Sequence, residues 1–187
     1  MKKLALLCFL LLSSCLLFAQ NSTVKTRVVN GYVMSSAKNV IQNIDSAKEL
    51  STFASAIKAA GLTDTFASAG PVTVLAPANA AFAKLPAGIL DTLLTPAHLQ
   101  ALKNLILNHV VVGSLTAKDI AKQIRLNNGQ ATLTTLSGTK LTAIIDANRN
   151  IVLTDENGGK SIVATFDIMQ NNGILDIVTA VLLPKNN

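Results

Sequence analysis

The chain predicts an α+β fold in which helices come first and a mostly antiparallel sheet follows. Up to about residue 126 the apolar positions recur mainly at helical spacing, interrupted by two short β-type runs at 72–75 and 110–112. Beyond Asn128-Gly129 the period changes to two, and short apolar segments follow one another between turn-forming residues. Helices first and then a run of short strands imply α+β with a mostly antiparallel sheet. A length of 187 residues suits one domain with its own core and is short for two. Half of the residues are apolar, with one Tyr and no Trp, so that core is aliphatic.

At the N-terminus, Lys2 and Lys3 precede an apolar run over 4–18 broken only by Ser13 and Ser14. The run is too short and wrongly flanked for a membrane span, and it fits a secretory signal over 1–19. Two exits are open: cleavage after Ala19, or lipidation of Cys15, since Leu12-Ser13-Ser14-Cys15 resembles a bacterial lipobox. No later apolar stretch is long enough to cross a bilayer. Cys8 and Cys15 are the two cysteines, so the rest of the chain has no disulfide and no thiolate ligand and relies on its core. Residues 20–36 are small and polar and read as a spacer; a single domain is expected over 37–185.

Within that domain, Ser51 is placed to cap a helix that buries Phe53 and Ile57 at i and i+4, and Gly61 to end it. Residues 65–68 read as a link to the strand at 72–75. That strand stops at Pro77, which has no ladder donor, and Asn79 reads as the cap of a short helix presenting Phe82 and Leu85. Alanine at Asn79 should then cost about 1 kcal/mol. Thr95-Pro96 is a helix start, with a capping hydroxyl and proline in the first turn, and Leu99, Leu102, Leu105 and Ile106 follow at helical spacing up to Asn108. After the strand at 110–112 and Gly113, Thr116 and Asp119 form a capping box for a helix ending near Ile124. Strands are expected over 131–136, 141–145, 151–154, 161–166 and 174–183.

Lys and Arg number 16 against 10 Asp and Glu, a formal charge of +6, and removing Lys2 and Lys3 leaves +4. The remaining lysines are scattered, whereas a nucleic-acid surface needs a basic stripe and aromatic platforms, so no nucleic-acid partner is expected. There is no Gly-x-Ser-x-Gly elbow, no Ser/His/Asp constellation and no Gly-rich phosphate loop. His98 and His109, without a cysteine in the domain, give no metal-ligand spacing. Asp155-Glu156-Asn157-Gly158-Gly159 lacks the alternating oxygens and final glutamate of a calcium loop and reads as a hairpin turn. No catalytic residue, cofactor or metal is expected. His109, at a helix-to-strand junction, could act as an exposed contact or a proton-sensitive switch. As a structural residue it would tie the turn around Asn79 to the sheet, and this reading carries more weight, because a lone histidine has little catalytic content.

Five segments in order resemble the fasciclin-like domain family. Residues 72–82 are similar to its Thr-Val-Phe-Ala-Pro-Thr-Asn-x-Ala-Phe signature through Thr73, Ala76, Pro77, Asn79, Ala81 and Phe82, with Leu75 and Ala78 departing from it. Residues 36–43 resemble the lead-in of small exported bacterial members. Residues 53–64 resemble a Leu-x-x-Ala-Ile-Lys-Ala-Ala-Gly-Leu-x-Asp helix, and 105–113 a Leu-x-Tyr-His-Val-Val-x-Gly segment. Residues 171–184 resemble the closing Asn-Asn-Gly-x-Ile-His-Val-Ile-Asp-x-Val-Leu-Leu-Pro. Asn108 replaces the usual tyrosine beside His109, Asp176 the usual histidine and Thr179 the usual aspartate.

The resemblance covers about 36–185 and implies a wedge-shaped β-sandwich of short, mostly antiparallel strands with helices packed along one edge. It also implies a non-enzymatic adhesion or surface-recognition module, exported and monomeric, whose partner is a protein or polysaccharide of a cell surface or matrix. Secreted, periplasmic and lipid-anchored locations all fit. Contacts are expected near Asn108, His109 and the Asn79 turn, but the missing tyrosine argues against transferring receptor binding from animal members. The alternative is a carrier of a small apolar ligand in a cleft between helices and sheet.

Overall fold

Six successive buried residues, Val72 to Pro77, form the strand around which the molecule is arranged. The computed structural model describes residues 23–68 and 70–185. The expected export segment, with Cys15 and Ala19, lies outside them. The strands are β1 (Thr26–Val29), β2 (Tyr32–Ser35), β3 (Val72–Pro77), β4 (Val110–Val112), β5 (Ala131–Thr134), β6 (Lys140–Ile145), β7 (Ile151–Thr154), β8 (Lys160–Gln170) and β9 (Gly173–Val178). The helices are α1 (Val40–Ser46), α2 (Ser51–Ala59), α3 (Thr63–Ser68), α4 (Asn79–Phe82), α5 (Ile89–Leu93), α6 (Leu99–Asn108) and α7 (Ala117–Leu126).

β3 runs parallel to β9, from Val72 opposite Gly173 to Pro77 opposite Val178, and the other strand pairs are antiparallel. Both central strands are buried along their whole length, with Thr73 and Asp176 as their polar residues, because both of their faces are covered. Val72, Val74 and Ala76 of β3, with Leu175 and Ile177 of β9, pack against Phe53 and Ile57 of α2, Leu102 and Ile106 of α6, and Ile44 of α1. Leu75 and Val178 belong to a second core with Ile120 and Ile124 of α7 and Leu133, Leu141 and Leu153 of the later strands. The large sheet runs β4-β3-β9-β8-β7-β6-β5. A bridge between Val111 and Thr135, and the Leu136 N–H donating to Val110 O at 2.7 Å, join its two ends. The sheet thus folds over onto itself and leaves little open edge. This is the expected α+β class.

Several local expectations hold. Gly61, at φ +67°, ends α2: its N–H donates to Lys58 O at 3.0 Å, and the Leu62 N–H donates to Ile57 O at 3.0 Å, a glycine-closed helix end. Thr116 and Asp119 form both bonds of the capping box at the start of α7. In the Asp155 turn, Oδ1 accepts the N–H groups of Asn157 at 3.0 Å and Gly159 at 2.8 Å, as a hairpin turn requires.

Others are corrected. The spacer expected over 20–36 is in fact structured through β1 and β2, an antiparallel hairpin with Asn30 and Gly31 at φ +47° and +85° in its turn. Its inner face buries Val29 and Met34 in the first core, and Asn43 of α1 grips its end through Ser35 N–H at 3.0 Å and Ser35 O at 2.9 Å. The signal is Asn-Gly after Thr26-Arg27-Val28-Val29 and before Tyr32-Val33, masked by the polar composition around it. Residues 65–68 are not a link but part of α3. Ser51 is the first residue of α2, not its cap, and the Thr95 hydroxyl donates to Thr92 O at 2.7 Å instead of capping the turn it precedes.

Candidate functional site

The residues singled out from sequence fall into two internal junctions. The first is built on Asn79. Ala78, whose methyl group cannot accept a hydrogen bond, occupies the cap position of α4, so Asn79 does not cap its own helix. Its Oδ1 instead accepts the Thr52 N–H at 3.0 Å, while Nδ2 donates to Lys48 O at 3.0 Å and to Ser51 Oγ at 3.1 Å. α2 has no side-chain cap of its own, and Asn79 satisfies one of its free N-terminal donors from another segment. Asn79→Ala is therefore expected to cost about 1–2 kcal/mol by urea denaturation, through loss of a cap and of the α2–α4 tie together.

The second junction is built on Asn108 and His109, where α6 turns into β4. Both are fully interior, at 0% and 1% exposure. Asn108 donates from Nδ2 to Leu182 O at 2.9 Å, and its Oδ1 accepts from Thr139 and from Ser137 at 3.3 Å. His109 accepts the Leu182 N–H on Nε2 at 3.0 Å and faces Leu105 O with Nδ1 at 2.9 Å. These two partners fix the neutral Nδ1–H tautomer, because a proton on Nε2 would meet the Leu182 donor. The ring also stands edge-on to Phe53, with centroids 5.9 Å apart. Burial pushes its pKa down to about 4, against the raising influence of Leu105 O and Asp155. An exposed contact at Asn108 or His109 is thus not available in this conformation: they clamp the α6–β4 corner to the C-terminal segment.

Sequence reasoning missed other members of this internal network. Asn172 accepts the Val40 N–H at 3.0 Å and donates to Phe66 O at 2.9 Å, joining α1 and α3 to the start of β9. Asp155 Oδ2 accepts the Leu183 N–H at 2.9 Å. The Thr73 hydroxyl donates to Gly113 O at 2.7 Å and accepts the Leu115 N–H at 2.8 Å. Of these, Asn172 and Thr73 lie in segments singled out for their wording, and that wording was the available signal.

One cleft lies between helices and the C-terminal segment. It has a volume of about 560 Å³ and is lined by Ile89 and Leu93 of α5, Leu105 of α6, and Leu183 and Pro184. His98 lies apart from it on the surface, its Nδ1 2.9 Å from the Thr95 hydroxyl. Among the described residues no group of three or more His, Cys, Asp or Glu is placed to hold a metal ion, and no helix is long and apolar enough to cross a membrane.

Fold and junctions together define an α+β domain whose motif residues bond to one another inside the molecule. The fasciclin domain family model matches residues 48–184, and the chain belongs to this family. It is 31% identical to protein sll1483 of Synechocystis sp. over 163 residues, which make up 87% of this chain and 83% of that one. It is 29% identical to transforming growth factor-beta-induced protein ig-h3 of Sus scrofa, over 82% of this chain but only 21% of that protein. Among solved structures, a FAS1 domain pair from the insect cell adhesion molecule fasciclin I superposes with a TM-score of 0.59 at 22% identity, over 72% of this chain and 45% of that chain. The chain thus spans about a fifth of the pig protein and under half of the insect chain. The hairpin β1–β2 and helix α1 precede the matched residues.

Proposed function

We propose that this chain is an exported recognition module that binds a component of a cell surface or extracellular matrix, protein or polysaccharide, without catalysis. The observation that carries this reading is the fasciclin domain itself, which a solved relative uses within a cell adhesion molecule. The engagement of Asn79, Asn108, His109 and Asn172 in internal bonds agrees with it: the motif builds a scaffold, and recognition falls to exposed side chains outside the motif. Export rests on the apolar N-terminal run, with either cleavage after Ala19 or a lipid on Cys15.

The purified chain from residue 20 onward, offered to its host's cells, envelope and matrix polysaccharide, is expected to be retained on one fraction saturably and at high salt. Retention that disappears in salt would reduce the interaction to the small positive charge. Absence of retention on every fraction would reject the reading.

A second reading, a carrier of a small apolar ligand, has the 560 Å³ cleft in its favour, a volume in the range of small-molecule sites with Ile89, Leu93, Leu105 and Leu183 in its wall. Native mass spectra of protein purified from its host distinguish the two: co-purified ligand favours the carrier, and an empty chain the adhesion module.

A further inference from the structure

Asp176 is 1% exposed in the middle of β9, between apolar neighbours. Its Oδ1 accepts the Asp167 N–H at 2.8 Å, whereas Oδ2 is buried and has no hydrogen-bond partner among the described residues. Asp167 sits where β8 loses register with β9, between Thr165 and Ile168, and takes φ +60° there. Its own Oδ1 accepts the N–H of Ala117, the first residue of α7, at 2.8 Å. The preceding residue, Phe166, accepts from the Arg27 guanidinium of the hairpin through its carbonyl. A single bulge therefore touches three elements: β9 through Asp176, α7 through Asp167 and the hairpin through Phe166.

The charges acting on the buried carboxyl are Asp167 from β8 and Arg27 from β1. Across β3 its register partner is the apolar Leu75, and Lys118, Asp119 and Lys122 of α7 are exposed to solvent. Burial raises the Asp176 pKa, the Asp167 N–H lowers it, the Asp167 charge raises it and Arg27 lowers it, for a net value of about 7. A protonated Asp176 leaves the arrangement without a buried charge. An ionised one has an unsolvated oxygen, opposes the Asp167 carboxylate that holds α7, and competes with the Phe166 carbonyl for Arg27.

We propose that Asp176 and the β8 bulge form a proton-operated latch, which seats the hairpin and the start of α7 when Asp176 is protonated and loosens both when it ionises. The latch lies in a part of the molecule that the proposed surface recognition does not assign, and it stands or falls independently of that reading.

Amide hydrogen exchange of the chain at pH 5.5 and 8.5, corrected for intrinsic exchange, tests it. In the wild type, protection of the Ala117 amide and of residues 26–35 is expected to fall at least about tenfold at the higher pH, while the Asp167 amide, whose bond to Asp176 strengthens on ionisation, and β7 amides keep theirs. In Asp176→Asn, which retains the acceptor for Asp167 and cannot ionise, the same amides are expected to show no such fall. Wild-type protection that is unchanged with pH, or an equal fall in the Asn variant, overturns the proposal. Should the variant not fold, the carboxyl-carbon NMR shift of Asp176 in the wild type decides. Its titration midpoint must coincide with the midpoint of the protection change, and a separation of more than one pH unit overturns the latch.

Discussion

Gly173→Ala is expected to leave the chain unfolded or to cost about 3 kcal/mol or more in a urea titration, at or beyond the upper end of ordinary overpacking effects. A Cβ at this position would lie 2.1 Å from the carbonyl oxygen of Val72, far inside any allowed contact. The obstacle is backbone, so no rotamer change relieves it. Val72 and Gly173 open the parallel β3–β9 ladder, and pushing them apart displaces the two strands that separate the cores. Gly158→Ala is the informative control. A Cβ there meets nothing within 4 Å, but φ is +84°, so only backbone strain of about 1 kcal/mol is expected. If the Gly173 variant lost no more than the Gly158 variant, close strand approach would not be what position 173 requires.

That contrast also marks what could be read in advance. Elements set by short-range chemistry were legible: the Thr116–Asp119 box, the Gly61 helix end and the turn at Asp155 all involve residues within a few positions of one another. The resemblance of five ordered segments to a family supplied the fold. What the residues do at a distance was not legible. Asn79 has the side chain of a cap, but the donor it serves, Thr52, is 27 residues away, and nothing local distinguishes that from capping its own helix. The sequence has His109 tying the turn around Asn79 to the sheet, whereas its bonds go to Leu105 O and to the Leu182 N–H, 73 residues on near the far end of the chain. Asp176 was visible as a departure from the family wording, but its burial and its unpartnered oxygen depend on β8 bulging at Asp167, which no pattern of apolar residues encodes. The hairpin, by contrast, is readable: Asn30-Gly31 is a strong turn signal, although the residues around it are small and polar.

His109→Ala is expected to cost about 3–4 kcal/mol, because it leaves the buried Leu182 N–H without an acceptor and opens a cavity against Phe53. The pH dependence separates this clamp from simple packing. With a folded pKa of about 4 against an ordinary 6.5, His109 is neutral in the folded chain while the unfolded chain takes up a proton. Its contribution is therefore fully present above 6.5 and is lost as pH falls from 6.5 toward 4, a slope of about 1.4 kcal/mol per pH unit at most. Asp176 acts in the opposite sense. Its raised pKa, about 7 against an ordinary 3.8, makes the folded chain hold a proton that the unfolded chain lacks, so stability falls as pH rises across that window. Between pH 4 and 6.5 the two slopes oppose each other, and the wild type is expected to be nearly flat. The carboxylates of Asp119 and Asp146, both lowered by hydrogen bonds, act below this range. Removing one partner should uncover the other. His109→Gln, which can still accept from Leu182, is expected to lose stability with rising pH, and Asp176→Asn to gain it. Chemical denaturation at pH 4.5, 5.5 and 6.5 checks the pair. Parallel slopes in the two variants would show that neither group titrates as its surroundings dictate, whereas slopes of opposite sign would identify two buried groups whose opposed protonation levels the stability of the fold across mildly acidic conditions.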